Sequence, residues 1–252
     1  MSNVIDDQLQ NQAADYVALA AKSVLGFVPF VGSALAEFAG SFIPNQRMER
    51  VAKFAIELSR RLSEAEQHLL KNSLQNPDFG DLMEESMRLA ASSLSDERRA
   101  YLASLVAKSM DVESISAADS RHVLRILGQL NDVEVILLRS YLVATLGGDE
   151  EFRKKHAAVL EPVAAFIGSD RPTLDKAAMR DGYRFHLSQL GLLHEQLQVD
   201  SKTKQPVLDS WGKWKTRGYD LTPMGRLVLR MIGLTEDGFD PAPEQPESHL
   251  TP

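Results

Sequence analysis

The sequence predicts a mainly α protein with one small β-hairpin near its C-terminus. Three observations carry this. Apolar residues recur with a period near 3.6 along most of the chain. Successive segments open with Asn, Asp or Ser followed by carboxylates, the side chains that satisfy and complement a helix N-terminus. The period changes only in LLHEQLQVD and RGYDLT, two short strand-like runs that flank a polar loop holding Trp211 and Trp214.

In chain order, a first helix is expected over residues 4–27, with Ile5, Leu9, Ala13, Val17, Ala20 and Val24 on one face. FVPFVG interrupts it, because Pro29 lacks an amide donor and biases Val28 to extended geometry. A second helix is expected over 30–43, giving an apolar hairpin over 17–43. From PNQRMER a long helix is expected. Its Met48, Val51, Ala55, Leu58, Leu62, Ala65 and Leu69 alternate spacings of three and four. This heptad seam over 48–69 suits either antiparallel packing inside a bundle or a homodimer.

NPDFGDLMEESMRLAASSL, SDERRAYLASLVAKSM, SISAADSRHVLRILGQL and NDVEVILLRSYLVATL give four more helices. The last opens with Asn131 and Glu134 at capping-box spacing. Two further helices are expected over about 149–167 and 173–191. After the hairpin, TPMGRLVLRMIG closes the fold, with Thr222 as N-cap and Pro223 at the first helical position. The final stretch, 235–252, is Pro-rich and acidic, the composition of a disordered tail.

Composition sets limits on function. Of 252 residues, 44% are hydrophobic and 25% charged, ordinary globular values. The absence of Cys removes disulfides, thiolate nucleophiles and Cys-based zinc sites. The polar, acidic N-terminus lacks the pattern of a signal peptide, so a cytoplasmic protein is expected. Lys and Arg number 11 against 16 Asp and Glu in residues 1–117, a net of −5. They number 17 against 14 in 118–234, a net of +3, and none against 5 in 235–252. A polyanion-binding surface is therefore expected in the middle segment. The six histidines show no metal-ligand spacing, and no phosphate loop or nucleophile elbow occurs. No enzyme activity, cofactor or metal is expected. GGDEEF, Gly147 to Phe152, is similar to the diguanylate cyclase signature but carries an extra Glu between helical patterns. A helix end followed by an acidic first turn accounts for it.

HLSQLGLLHEQLQVDSKTKQPVLDSWGKWKTRGYDLTPMGRLVL resembles the end of a winged-helix domain. LSQLGLL matches the helix end leading into the first wing strand, and GYDLTPMGRLVL the second strand entering the final helix. DSRHVLRILGQLNDVEVILLRSYL extends the likeness to about 115 residues, with the helix at 149–167 as an insertion. The resemblance implies a helix at 173–191 in the major groove and a wing on phosphates. Lys176, Arg180 and Arg184 recur every four residues and are expected to face DNA, with Met179, Tyr183, Leu187 and Leu190 packed inward. Lys202, Lys204, Lys213, Lys215, Arg217 and Trp214 supply the wing.

The apolar hairpin leaves two alternatives. A 14-residue helix rises about 21 Å, short of the ~30 Å hydrocarbon core, and Glu37 sits mid-way along it. Burial inside the bundle is the leading expectation; release to a membrane is the other. PFVGSALAEFAG, MEESMRLAASSLSDERRAYLASLVAKSM and VLRILGQLNDVEVILL together resemble the Abi-alpha family of bacterial abortive-infection proteins, across about 30–145. That resemblance implies a bacterial cytoplasmic component of phage defence. The expected organisation is a helical bundle over 1–117, a winged-helix-like domain over 118–234 and the tail. The expected function is non-enzymatic binding of DNA, with a membrane-acting effector and a winged-helix protein-interaction module as alternatives.

Overall fold

A computed structural model describes residues 28, 31–39, 43–44, 47–111, 115–143, 149–163, 165–166, 168–208, 212 and 214–235. The described residues form eleven helices and one two-stranded antiparallel sheet. The helices are α1 Val31–Ala39, α2 Met48–Ser59, α3 Glu64–Ser73, α4 Pro77–Ser92, α5 Asp96–Ser109, α6 Ala117–Gln129 and α7 Asp132–Ser140. The short α8 Glu150–Lys155 and α9 Ala157–Leu160 precede α10 Arg171–Gln189. Strands β1 Leu193–Leu197 and β2 Thr216–Leu221 lead into α11 Pro223–Met231. The expected helix at 4–27, most of the 17–43 hairpin and the tail from 236 lie outside the described residues.

Helix starts follow the local chemistry read from the sequence. Asn76 Oδ1 accepts from the amides of Asp78 and Phe79, and Ser95 Oγ from that of Arg98. Asn131 and Glu134 form a reciprocal capping box, and Thr222 Oγ1 accepts from Gly225 N at 3.0 Å. Each such cap stabilises its helix by about 1 kcal/mol.

The single helix expected over 48–69 is two. Ser63 and Glu66 close a capping box of their own inside the seam, which starts α3 afresh after a turn at Arg60–Leu62. Met48, Val51, Ala55, Leu58 and Leu62 are buried within this chain, where α2 packs on α4 and α5. After the break the phase shifts: Leu70 is buried, whereas Ala65 and Leu69 face solvent. A seam over 48–69 therefore has no common face.

The expected helix over 149–167 is also shorter. It bends at His156 and stops at Leu160, before Pro162. In α1, Val31, Ala34 and Leu35 are buried against α2 and α3, while Glu37 is exposed beside Lys71 at 3.8 Å. Among the described residues, no helix is long and apolar enough to cross a membrane.

One cluster of buried apolar side chains runs from Val31 to Ile232. Two joints in it position the C-terminal elements. Helix α11 packs on α5, α6 and α7, burying Val228, Leu229, Met231 and Ile232. Arg98 of α5 donates to the Leu127 and Leu130 carbonyls at the end of α6, and to Asp132 Oδ1 at 3.1 Å. The α5 surface thus supports the α6–α7 corner from one side and α11 from another.

Candidate nucleic-acid interface

Helix α10 begins at Asp170, whose carboxylate accepts from Thr173 N, and includes Pro172 in its first turn. Its inner side is set by Leu187, which is fully buried, and by Tyr183 and Leu190, which pack on the core. A second anchor joins it to α7. Glu134, 3% exposed, accepts from Asn131 N through one carboxylate oxygen and bonds His186 Nδ1 at 2.7 Å through the other. The capping box was legible from Asn131 and Glu134. The second use of Glu134 was not, because its partner lies 52 residues away.

The three cations of α10 do not form an outward face. A helix advances 100° per residue, so a step of four drifts by 40°. Buried Leu187 lies eleven residues after Lys176 and seven after Arg180, and so falls between them on the helix wheel. Arg180 turns inward and donates Nη2 to the Leu160 carbonyl at 2.9 Å and Nη1 to the Glu161 carbonyl. Burial pushes its guanidinium below the ordinary arginine range, with Arg184 adding to the effect. Arg184 pairs with Asp181 at 3.2 Å.

Lys176 is exposed on the wall of a groove of about 680 Å³ between α7, α9 and α10, beside Val133, Leu137 and Val159. The side of α10 that does face solvent carries Leu174, Ala178, Asp181 and Phe185, with Leu174 42% and Phe185 62% exposed. Met179, expected inward, is 56% exposed at the groove edge. The phosphate-facing role expected for Lys176, Arg180 and Arg184 as a row is therefore corrected: two of the three are engaged within α10 or with the α9 end.

Four of the cations expected on the wing, Lys202, Lys204, Lys215 and Arg217, lie on the described part of the hairpin. Leu193 pairs with Leu221, Glu195 with Tyr219 and Leu197 with Thr216, with an irregularity between Gln196 and Leu197. Beyond β1, Gln198 N donates to the Lys215 carbonyl at 2.7 Å, Val207 N to that of Gln198 and Lys215 N to that of Val207. The wing is thus folded back on itself and not open. Its tip is an Asp200-centred turn: Asp200 Oδ1 accepts from the amides of Lys202 and Thr203, both at 2.8 Å. Lys204 there takes a left-handed φ of 58°. Those bonds, Thr203's first, hold the Asp200 carboxyl below the usual carboxylate range.

Lys202, Lys204, Lys215 and Arg217 are exposed and form no ion pair among the described residues. The three described carboxylates of the hairpin are bonded inside it: Asp200 in its turn, Glu195 by Thr216 and Asp220 by Gln196. Trp214, 55% exposed, bridges Leu208 across the wing. Lys213 and Trp211 lie outside the described residues.

The base of this hairpin is clamped. Thr222 Oγ1 donates to the Gly191 carbonyl at 2.7 Å, and Thr222 N to that of Leu192 at 3.1 Å. Tyr219 meets Tyr141 edge-on at 6.4 Å, which ties β2 to the end of α7.

Asp149, from the GGDEEF stretch, stands at the α8 N-terminus without a side-chain cap bond and pairs with Arg139 at 2.6 Å. Arg139 in turn lies 5.0 Å over the Phe152 ring. Among the described residues, no group of three His, Asp or Glu side chains is placed to hold a metal ion. Comparison of the chain with protein-family models, curated proteins and solved structures gives no match.

Proposed function

We propose that this chain is a non-enzymatic binding protein whose C-terminal half is a winged-helix-like module contacting duplex nucleic acid through its wing. The observation that carries this is the charge state of the hairpin. Lys202, Lys204, Lys215 and Arg217 stand exposed and without an ion pair among the described residues, Trp214 is exposed on the same wing, and the hairpin's described carboxylates are tied up internally. The order α6, α7, α10, β1, wing, β2, α11, with α10 packed on α7 and β1, supports the winged-helix likeness. In this reading α10 is a support and not a reader of bases. Cations near phosphates release condensed counterions, so affinity falls steeply with salt. The likeness of residues 30–145 to abortive-infection proteins supports a role in phage defence.

The test is fluorescence anisotropy of the full chain with a labelled 20-base-pair duplex across a salt series. Lys202→Glu with Lys215→Glu should weaken binding at least ~10-fold and flatten the salt slope, since each lost contact removes about one unit of it. Arg180→Gln should leave affinity unchanged. Absent binding at low salt, or binding indifferent to the double reversal, would remove the reading.

A protein-docking role is the second reading, and it rests on Leu174 and Phe185 on the outward side of α10. Phe185→Asp would impair defence against phage without altering duplex affinity if that face serves a partner.

A further inference from the structure

We infer that the acidic C-terminal segment, residues 236–252, docks on the cationic wing of its own chain and competes there with external polyanions. Two features point to this: charge complementarity, and the place where the segment departs.

The segment carries Glu236, Asp237, Asp240, Glu244 and Glu247 and no Lys or Arg. The wing offers Lys202, Lys204, Lys215 and Arg217, all exposed and without an ion pair among the described residues. The two groups are opposite in sign and similar in number, five carboxylates against four cations. Several exposed charges elsewhere pair locally, as in Lys53–Glu49, Arg60–Glu57, Arg88–Glu84 and Arg171–Asp175.

Reach is sufficient. Helix α11 follows its N-cap Thr222, which is clamped to the base of the hairpin, and its nine residues cover about 14 Å. From that base to the turn at Asp200, ten residues of near-extended chain cover about 35 Å. Even with the two pointing apart, the gap from Thr235 to the wing tip is about 50–55 Å. The last acidic side chain, Glu247, lies twelve residues beyond Thr235 and reaches about 40–43 Å, which covers Lys215 and Arg217 near the base in any orientation and the tip when the two lean together. A tether of this length presents its carboxylates at an effective concentration on the order of millimolar. Several pairs, each weak when exposed, then act together. The contact stands on charge and reach alone; its regulatory consequence rests on the wing being the duplex contact proposed above.

The experiment compares the full chain, a form ending at Thr235, and a full-length form with E236Q, D237N, D240N, E244Q and E247Q. A water-soluble carbodiimide joins carboxylates to lysines in direct contact, and mass spectrometry reads the junctions. Cross-links from the segment to Lys202, Lys204 or Lys215 are expected at low salt and should fade by about 0.5 M, where the Debye length is only a few ångström.

In the duplex assay, truncation and neutralisation should each strengthen binding about 3–10-fold at low salt. Cross-links with no duplex binding by any form would uphold the docking and sink the nucleic-acid reading. Equal duplex binding by all three forms, with no cross-links to the wing, would overturn the docking and leave that reading standing.

Discussion

At the scale of single residues, a glycine and an arginine show what the chain's local chemistry decides. Gly225 sits in the first turn of α11, where a Cβ would lie 2.7 Å from Leu221 Cδ1 and still closer to the Leu192 carbonyl oxygen. The oxygen is backbone and is already held by Thr222, so it has nowhere to go. Gly182, in the interior of α10, has open space around the same position. One substitution should therefore have opposite signs at the two sites. Gly225→Ala should destabilise by about 2–3 kcal/mol, because overpacking outweighs the ~1 kcal/mol gain in helix propensity. Its Tm should fall by about 5–10 °C. Gly182→Ala should stabilise by about 0.5–1 kcal/mol. Thermal denaturation followed by circular dichroism reads both, and a neutral Gly225→Ala would mean that α11 does not seat on Leu192 as described.

The caps at Asn76, Ser95, Asn131 and Thr222 were legible because they need only local spacing. Arg180 was misread because an i, i+4 row says nothing about which side of the helix the core takes. Buried Leu187, lying between Lys176 and Arg180 on the wheel, was the signal that could have shown it.

At the scale of elements, the hairpin was read almost to its limits from two short runs of altered period. The long helix over 48–69 was not, for a stated physical reason. Heptad spacing persisted through Ser63, but Ser63-x-x-Glu66 is itself a helix start, and a capping box satisfies donors that a continuous helix would leave bonded elsewhere. Both signals were present, and only packing of α2 on α4 and α5 decided between them.

The wing carries the prediction at this scale. Its tip depends on the ionised Asp200, which accepts from Thr203 N, Lys202 N and Thr203 Oγ1. Those bonds place its folded pKa below the ordinary Asp value of about 3.9. Its contribution is therefore fully present above that ordinary value and lost as pH falls through the lower folded one. Amide shifts of Lys202 and Thr203 should stay flat from neutral pH down to about 4 and move only below it. Asp200→Ala should shift both amides at every pH, and early movement near pH 5 would show that the turn does not hold its carboxylate.

At the scale of the whole molecule, the winged-helix likeness set a boundary near residue 118 between a bundle and a C-terminal unit. The buried side chains do not pause there: α11, from the far end of the described chain, packs on α5 as well as on α6 and α7. A local likeness marks where a unit's elements begin, whereas burial is decided by apolar positions that carry no mark of which half they will meet.

The contact is close at Gly233, which has a φ of 76° and would place a Cβ 2.6 Å from Ser104 Oγ on α5. A β-branched side chain there meets both left-handed strain and a clash, costing about 3 kcal/mol or more. If α11 is the keystone between the halves, Gly233→Val should lower the protection of α2, α4 and α5 amides together with those of the hairpin. Hydrogen exchange read by mass spectrometry checks this, with the whole chain unfolding in one transition at a lower denaturant midpoint. Loss confined to 118–234, with α2 and α4 as protected as before, would show that the two halves are independent and that the boundary near residue 118 is a true one.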